Sequence, residues 1–118
     1  MILIIVIKAK IHKAVITKKV LGYNGSIGID KALLMASGMI PGEKVQVLNF
    51  QNGDRLETYV IEEEENSGII ALYGPAAKRG EIGNELCIIS YALITNDEIP
   101  NFKSKVVFVN KKNKIAAN

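Results

Sequence analysis

Gly42-Glu43-Lys44-Val45-Gln46-Val47-Leu48-Asn49-Phe50 and Gly83-Asn84-Glu85-Leu86-Cys87-Ile88-Ile89-Ser90-Tyr91 follow one pattern: a turn glycine, an apolar-rich run and a closing aromatic. Two such strand units, with a few short helices around them, predict a mainly β protein and a closed barrel of pseudo-twofold character. Closure removes the exposed edges that many short strands otherwise present. Working outward, residues 1–8 and 10–17 are rich in Ile and Val and read as strands, the second ending at Thr17-Lys18-Lys19. Residues 25–29 read as a short strand leading to Asp30, a good helix N-cap. From Asp30 the apolar positions Ala32, Met35, Ala36 and Met39 recur at helical spacing until Gly38 and Pro41-Gly42 stop them, which predicts one short helix. Further strands are expected at 44–50, 55–62, 68–72, 85–94 and 104–109. They are separated by Asn52-Gly53, Asn66-Ser67-Gly68, Gly74-Pro75 and Asp97-Glu98-Ile99-Pro100. Glu62 to Glu65 reads as a solvated strand end and Lys111 to Lys114 as a loose tail.

Composition limits the function classes. At 118 residues, 48% of them hydrophobic, the chain can bury one core, so a single domain over 1–118 is expected. The net charge of +3 rests on 15 Lys plus Arg against 12 Asp plus Glu, and Arg55 and Arg79 are its arginines, which makes nucleic acid a poor expected partner. Cys87 sits alone in the apolar run Leu86-Cys87-Ile88-Ile89, so neither a disulfide framework nor a cysteine metal site is expected, and one histidine implies no metal. Met1-Ile2-Leu3-Ile4-Ile5-Val6-Ile7 has no basic residue before it, no small-residue cleavage site after it, and too few residues to span a bilayer. It reads as a strand of a cytoplasmic protein with no membrane partner. In that compartment the sequon Asn24-Gly25-Ser26 has no meaning.

The chemistry concentrates at Tyr23-Asn24-Gly25-Ser26. The plain reading is an Asn-Gly hairpin turn between two strands. A second reading uses Ser26: a serine hydroxyl can attack the carbonyl carbon of the preceding residue where the backbone is held distorted, and glycine at 25 removes the Cβ that resists such a conformation. The amide becomes an ester, elimination from it leaves dehydroalanine, and hydrolysis releases ammonia and leaves a ketone-bearing pyruvoyl group at the new N-terminus. Such a group forms an imine with an amino acid and accepts the electron pair left behind when carbon dioxide departs.

Over nearly its whole length the sequence resembles the aspartate 1-decarboxylases of pantothenate biosynthesis. The resemblance rests on Lys10-Ile11-His12, Thr17, Tyr23-Asn24-Gly25-Ser26-Ile27, Ile29-Asp30, Asn52-Gly53, Arg55, Thr58-Tyr59-Val60-Ile61, Gly74-Pro75-Ala76-Ala77 and Ile82-Gly83, in shared order and spacing. It implies a double-psi β-barrel and a homotetramer with active sites between subunits. It also implies a precursor cut between Gly25 and Ser26 into a β chain (1–25) and an α chain (26–118), and a covalent pyruvoyl cofactor derived from Ser26. The implied reaction converts L-aspartate to β-alanine and carbon dioxide.

The resemblance also assigns roles. Arg55 pairs with the substrate carboxylate and Tyr59 protonates the carbanion-like intermediate. Their spacing of four on a strand puts them on one face. Thr58 contacts substrate and helps the serine rearrangement, yet strict alternation places it on the opposite face, so a bulge or twist is expected there. Lys10 and His12 alternate onto one face with Lys8, and the resemblance has the lysine reach a neighbouring subunit's site. Gly74, Pro75 and Ala76 match a substrate-binding turn whose small side chains let backbone approach the ligand. Tyr23 supports the processing segment. The chain departs from the family at Tyr73, where the family usually has Asn. A bulkier ring without the amide donor and acceptor pair then stands beside the processing segment, with slower self-cleavage, altered substrate preference or dependence on a maturation factor as the expected consequences. Two other classes remain open: an uncleaved barrel that binds a small molecule or protein, and a basic nucleic-acid-binding barrel using Lys8, Lys10, His12, Lys13, Lys18 and Lys19.

Overall fold

In the computed structural model, which describes residues 1–116, the chain forms eight strands and one α-helix. The elements are β1 (Ile4–Val15), β2 (Lys18–Val20), β3 (Ser26–Asp30), α1 (Lys31–Ser37), β4 (Lys44–Asn49), β5 (Arg55–Glu63), β6 (Ile70–Tyr73), β7 (Glu85–Ile94) and β8 (Lys105–Phe108). Short 3₁₀ helices at Gly74–Arg79 and Asn96–Asn101 stand where turns were expected. No helix among the described residues is long and apolar enough to cross a membrane.

The two glycine-led stretches pair with each other. β4 and β7 run antiparallel with Val47 opposite Ile88, and these two residues hold equivalent places in the two stretches, so a local twofold axis passes through their pair. The glycine turns obey the same symmetry. Gly42 N–H donates to the Val60 carbonyl (2.8 Å) while Val60 N–H donates to the Glu43 carbonyl (3.0 Å). Likewise Gly83 N–H donates to the Ile16 carbonyl (2.8 Å) and Ile16 N–H to the Asn84 carbonyl (2.9 Å). Both glycines sit at positive φ, 86° and 96°, a backbone state that side chains resist. Outside this centre, β5 and β1 flank the pair, and each carries a parallel strand, β3 on β5 and β8 on β1.

The strand order is β2-β6-β3-β5-β4-β7-β1-β8. β1 and β2 lie toward opposite ends of that order yet are separated in sequence by Ile16 and Thr17 alone, so the sheet closes on itself through them. Thr17 seals the junction. Its N–H donates to the Ile70 carbonyl (2.8 Å), and its hydroxyl accepts from Ile70 N–H (3.1 Å). β2 is parallel and β3 antiparallel to β6, which lies between them, so the chain crosses over the end of β6 at residues 21–25. This crossing belongs to a double-psi β-barrel. It also removes the plain hairpin reading of Asn24-Gly25, because β2 and β3 do not pair with each other.

Several local expectations are corrected. Residues 4–15 form one strand rather than two, with irregular register at Ile7/Ala9 and His12/Ala14 and Lys13 at φ 66°. Each bulge lets the strand coil without ending. Lys18 and Lys19 begin β2 rather than close a strand. Asp30 caps α1 as expected, accepting from Ala32 N–H (2.8 Å), and Gly38 ends it at φ 79°. The buried face of α1 is Leu33, Leu34 and Ser37, whereas Met35 is 63% exposed. Ile11, Ile27, Val60, Leu72 and Ile88 are fully enclosed in the barrel interior, each worth roughly 1.5–3 kcal/mol of burial.

The segment Lys111 to Lys114 is pinned rather than loose. Asn113, 1% exposed, accepts from Val15 N–H (2.7 Å) and donates to the carbonyls of Val15 and Gly68 (both 2.8 Å). It also takes φ 59°, which Asn tolerates better than most residues. Asn113→Ala is expected to lower unfolding stability by about 2–4 kcal/mol, because it leaves the Val15 N–H and carbonyl and the Gly68 carbonyl without this partner. Urea denaturation checks this, and an unchanged midpoint would show that the tail does not clasp the barrel.

Candidate active site

The crossing segment is held against β6 by a glycine. Gly74 has φ 65°, and a Cβ there would lie 2.4 Å from the Tyr23 carbonyl oxygen, 2.8 Å from Gly25 N and 2.9 Å from the Asn24 carbonyl carbon. No other residue type fits between β6 and the backbone of 23–25. Gly25 differs. It is not at positive φ, and a Cβ would meet only Pro75 Cδ at an ordinary 3.5 Å. In the intact chain the close-approach glycine is therefore Gly74, and the conformational role expected of Gly25 is not required by its surroundings. Ser26 opens β3, is 3% exposed, and pairs across the ladder with Tyr73.

Gly25, Leu56, Glu57, Thr58, Tyr59, Pro75, Ala76 and Arg79 line a hollow of about 370 Å³. β3 and β5 are parallel with Ile27 opposite Val60, so one step back along the same pair stand Ser26 and Tyr59, and one further Gly25 and Thr58. The expected bulge at Thr58 is absent. The β4–β5 register runs unbroken from Lys44 opposite Tyr59 to Leu48 opposite Arg55. Arg55 and Tyr59 share the exposed face as predicted, with Glu57 between them, while Thr58 is on the other face and still borders the hollow because the hollow lies at the end of β3 and meets both faces of β5.

Lys10, His12 and Arg55 gather elsewhere, around a second hollow of about 460 Å³ that includes Phe50, Cys87 and Ile89. His12 is held edge-on between Phe50 and Phe108, with ring centres 5.5 and 5.6 Å away. The Arg55 guanidinium donates to Gln46 Oε1 (3.2 Å), which also accepts from the Tyr91 hydroxyl (2.6 Å). Burial pushes the Cys87 thiol up, and the nearby Lys10 ammonium partly offsets this. Lys8 does not join the group, because the β1 irregularity falls at it and its ammonium pairs with Glu43 at 2.5 Å. Lys19 pairs with Glu81 (3.1 Å), and Lys18 Nζ lies 5.8 Å from the centre of the Tyr73 ring, so the basic residues of β1 and β2 are spread over several sites.

Tyr73 is 4% exposed, and its ring meets that of Tyr23 at 5.4 Å between centres. Its hydroxyl donates to Glu63 Oε2 (2.6 Å). Glu63 thus departs from the solvated run expected for Glu62 to Glu65. Burial first, and then the Glu63 carboxylate that accepts this proton's hydrogen bond, push the Tyr73 hydroxyl up to about 12. Sequence reasoning also missed Arg79, whose Nε donates to Asp54 Oδ2 (2.9 Å) and whose Nη2 donates to the Arg55 carbonyl (3.2 Å). Asn49 and Asn52 in turn donate to the Arg79 carbonyl, so the 3₁₀ helix after Gly74 is tied to the β4–β5 turn. The one cue in the sequence for this clamp is the isolated Arg after Gly74-Pro75.

An absorbance titration should show a tyrosine ionising near pH 12, and Tyr73→Phe should abolish that step. The folded value lies above the ordinary 10.0, so this group's contribution to stability is complete below pH 10 and is lost as pH rises from about 10 to about 12. A titration with no step near pH 12, or one that Tyr73→Phe leaves unchanged, would show that the pair with Glu63 does not form.

Comparison with known proteins matches residues 2–116 to the family described as Aspartate decarboxylase. The chain is 49% identical to the aspartate 1-decarboxylase of Thermoanaerobacter pseudethanolicus over 91% of this chain and 92% of that protein. It is 53% identical to the aspartate 1-decarboxylase of Carboxydothermus hydrogenoformans (92% and 85%) and 45% identical to that of Cupriavidus taiwanensis (94% and 92%).

Proposed function

This chain belongs to the aspartate decarboxylase family, and we propose that it matures by breaking its own backbone between Gly25 and Ser26 and then removes the α-carboxylate of L-aspartate to give β-alanine. The observation that carries this reading is the placement of the Gly25–Ser26 peptide. It lies where the crossing segment enters β3, on the rim of a hollow bordered by Thr58 and Tyr59 and backed by a glycine that admits no side chain.

The surroundings fit a pyruvoyl group at position 26. Its place is enclosed at the head of a strand, its neighbour on β6 is fixed by ladder pairing, and the hollow lined by the adjoining Gly25 has room for a small amino acid. Such a group supplies the electron sink for loss of carbon dioxide. Thr58, opposite Gly25 where the β3–β5 register is carried back, is placed to steady the scissile carbonyl while the Ser26 hydroxyl attacks it. Tyr59, whose side chain is partly open to the hollow, holds the proton that returns to the substrate carbon.

Carboxylate recognition falls to Arg55 and Lys10, whose cationic heads border the second hollow. The separation of this hollow from the Gly25 hollow within one chain supports a site completed between subunits of a homotetramer, with Lys10 and His12 brought to the Gly25 hollow of a neighbouring copy. The enclosed thiol of Cys87 suits a reducing, cytoplasmic setting.

The matured protein should convert aspartate to β-alanine with release of carbon dioxide, and glutamate far more slowly. Tyr59→Phe should lower kcat by about 10²–10⁴ with KM little changed, as loss of a proton donor does. Arg55→Ala should raise KM by about tenfold or more. Chromatographic quantification of β-alanine checks each. Matured wild-type protein that turns over no aspartate would overturn the reading.

A further inference from the structure

Glu63 lies on β5 and Tyr73 on β6, with β3 between them, so their 2.6 Å hydrogen bond has to pass over an intervening strand. It does so at Gly28. A Cβ on Gly28 would lie 2.0 Å from Glu63 Oε2 and 2.8 Å from its carboxyl carbon. The missing side chain is the channel through which the carboxylate reaches the hydroxyl.

What Glu63 holds borders the scissile bond on its β6 side. Tyr73 is the ladder partner of Ser26, its ring rests against Tyr23, and the residue after it is Gly74, on which the backbone of 23–25 lies. A tyrosine at this place cannot tie the crossing segment with a side-chain amide. The polar end of its ring is fixed by one hydrogen bond, to Glu63. Lys18 Nζ, 5.8 Å from the ring centre, covers the ring from β2.

We propose that Glu63 is a positioning residue for maturation: its carboxylate, laid over Gly28, fixes Tyr73 and so holds Tyr23–Gly25 on Gly74 in the conformation from which the Gly25–Ser26 bond breaks. This inference rests on the self-cleavage reading above. Gln at 63 keeps an acceptor of similar reach, so it satisfies the requirement, whereas Ala leaves the Tyr73 hydroxyl buried without a partner. Ala at Gly28 displaces the end of a flexible side chain rather than backbone, and Gly28 is not at positive φ, so Gly28→Ala removes the same contact from the other side.

The test follows first-order cleavage of freshly purified precursor by gel and mass, well below its unfolding temperature. A parallel set carrying Ser26→Ala, which stays uncut, is followed by amide hydrogen exchange at residues 21–25. Glu63→Ala and Gly28→Ala should each slow cleavage by about tenfold or more, the rate equivalent of a lost charge-assisted hydrogen bond, and raise exchange at 21–25. Glu63→Gln should restore both, and the Glu63→Ala, Gly28→Ala double variant should be no slower than either single one. Wild-type cleavage rate and unchanged exchange in Glu63→Ala would overturn the inference while leaving self-cleavage intact. If wild type itself never cleaves, the self-cleavage reading fails and the role in maturation falls with it. The exchange data then show separately whether Glu63 orders the segment.

Discussion

The structure depends on the crossing of the chain over the end of β6. β2 is bonded to one edge of β6 and β3 to the other, so the residues between Val20 and Ser26 have no path except across the strand's end. A chain forced over a strand end must meet backbone with backbone, and that meeting is possible because Gly74 offers no side chain. Barrel closure through Ile16 and Thr17 brings β2 to β6 in the first place, so the enclosing of the core and the placing of the Gly25–Ser26 bond are consequences of one topology.

Around that crossing the polar groups divide into two sets. One set is structural: Arg79 with Asp54, Asn49 and Asn52 fastens the 3₁₀ helix that follows Gly74 to the β4–β5 turn, and Glu63 fastens Tyr73. The other set, Lys10, His12 and Arg55, borders a separate hollow, and the cationic heads of Lys10 and Arg55 are not in ion pairs among the described residues. Positive charge left unpaired beside an open hollow favours an anionic ligand, and the tight fastening on the other side favours a fixed backbone geometry. Both are what the proposed self-cleavage and the proposed binding of a dicarboxylate require.

Much of this was legible in the sequence because it is carried by local pattern. The two glycine-led stretches foretold the pseudo-twofold pairing, and Asp30 and Gly38 marked the helix ends. Tyr23-Asn24-Gly25-Ser26 reads in sequence as a hairpin turn, and its crossing over β6 shows only once β2 and β3 are placed on either side of that strand. What could not be read depends on contacts between residues far apart in the chain. Bulges at Lys8 and Lys13 keep β1 whole, and no propensity signals them. The helix face shifts to Leu33 and Leu34 because the barrel lies on that side, whereas spacing alone allowed Ala32 and Met35. Asn113 reads as part of a basic tail until Val15 and Gly68 are beside it. Glu63 reads as one of four solvated acids until Gly28 opens a way to Tyr73. The division of the site residues between two hollows is likewise a property of the folded barrel, and the sequence carries no trace of it.

The most direct measurement is the intact mass of the purified protein before and after warm incubation, with Ser26→Ala alongside. The account predicts two chains meeting at Gly25 and Ser26, the larger lighter by one ammonia than a serine-ended peptide and resistant to N-terminal degradation, with the Ser26→Ala chain remaining whole. A wild-type chain that stays whole under the same treatment would contradict it and would favour an uncleaved binding barrel.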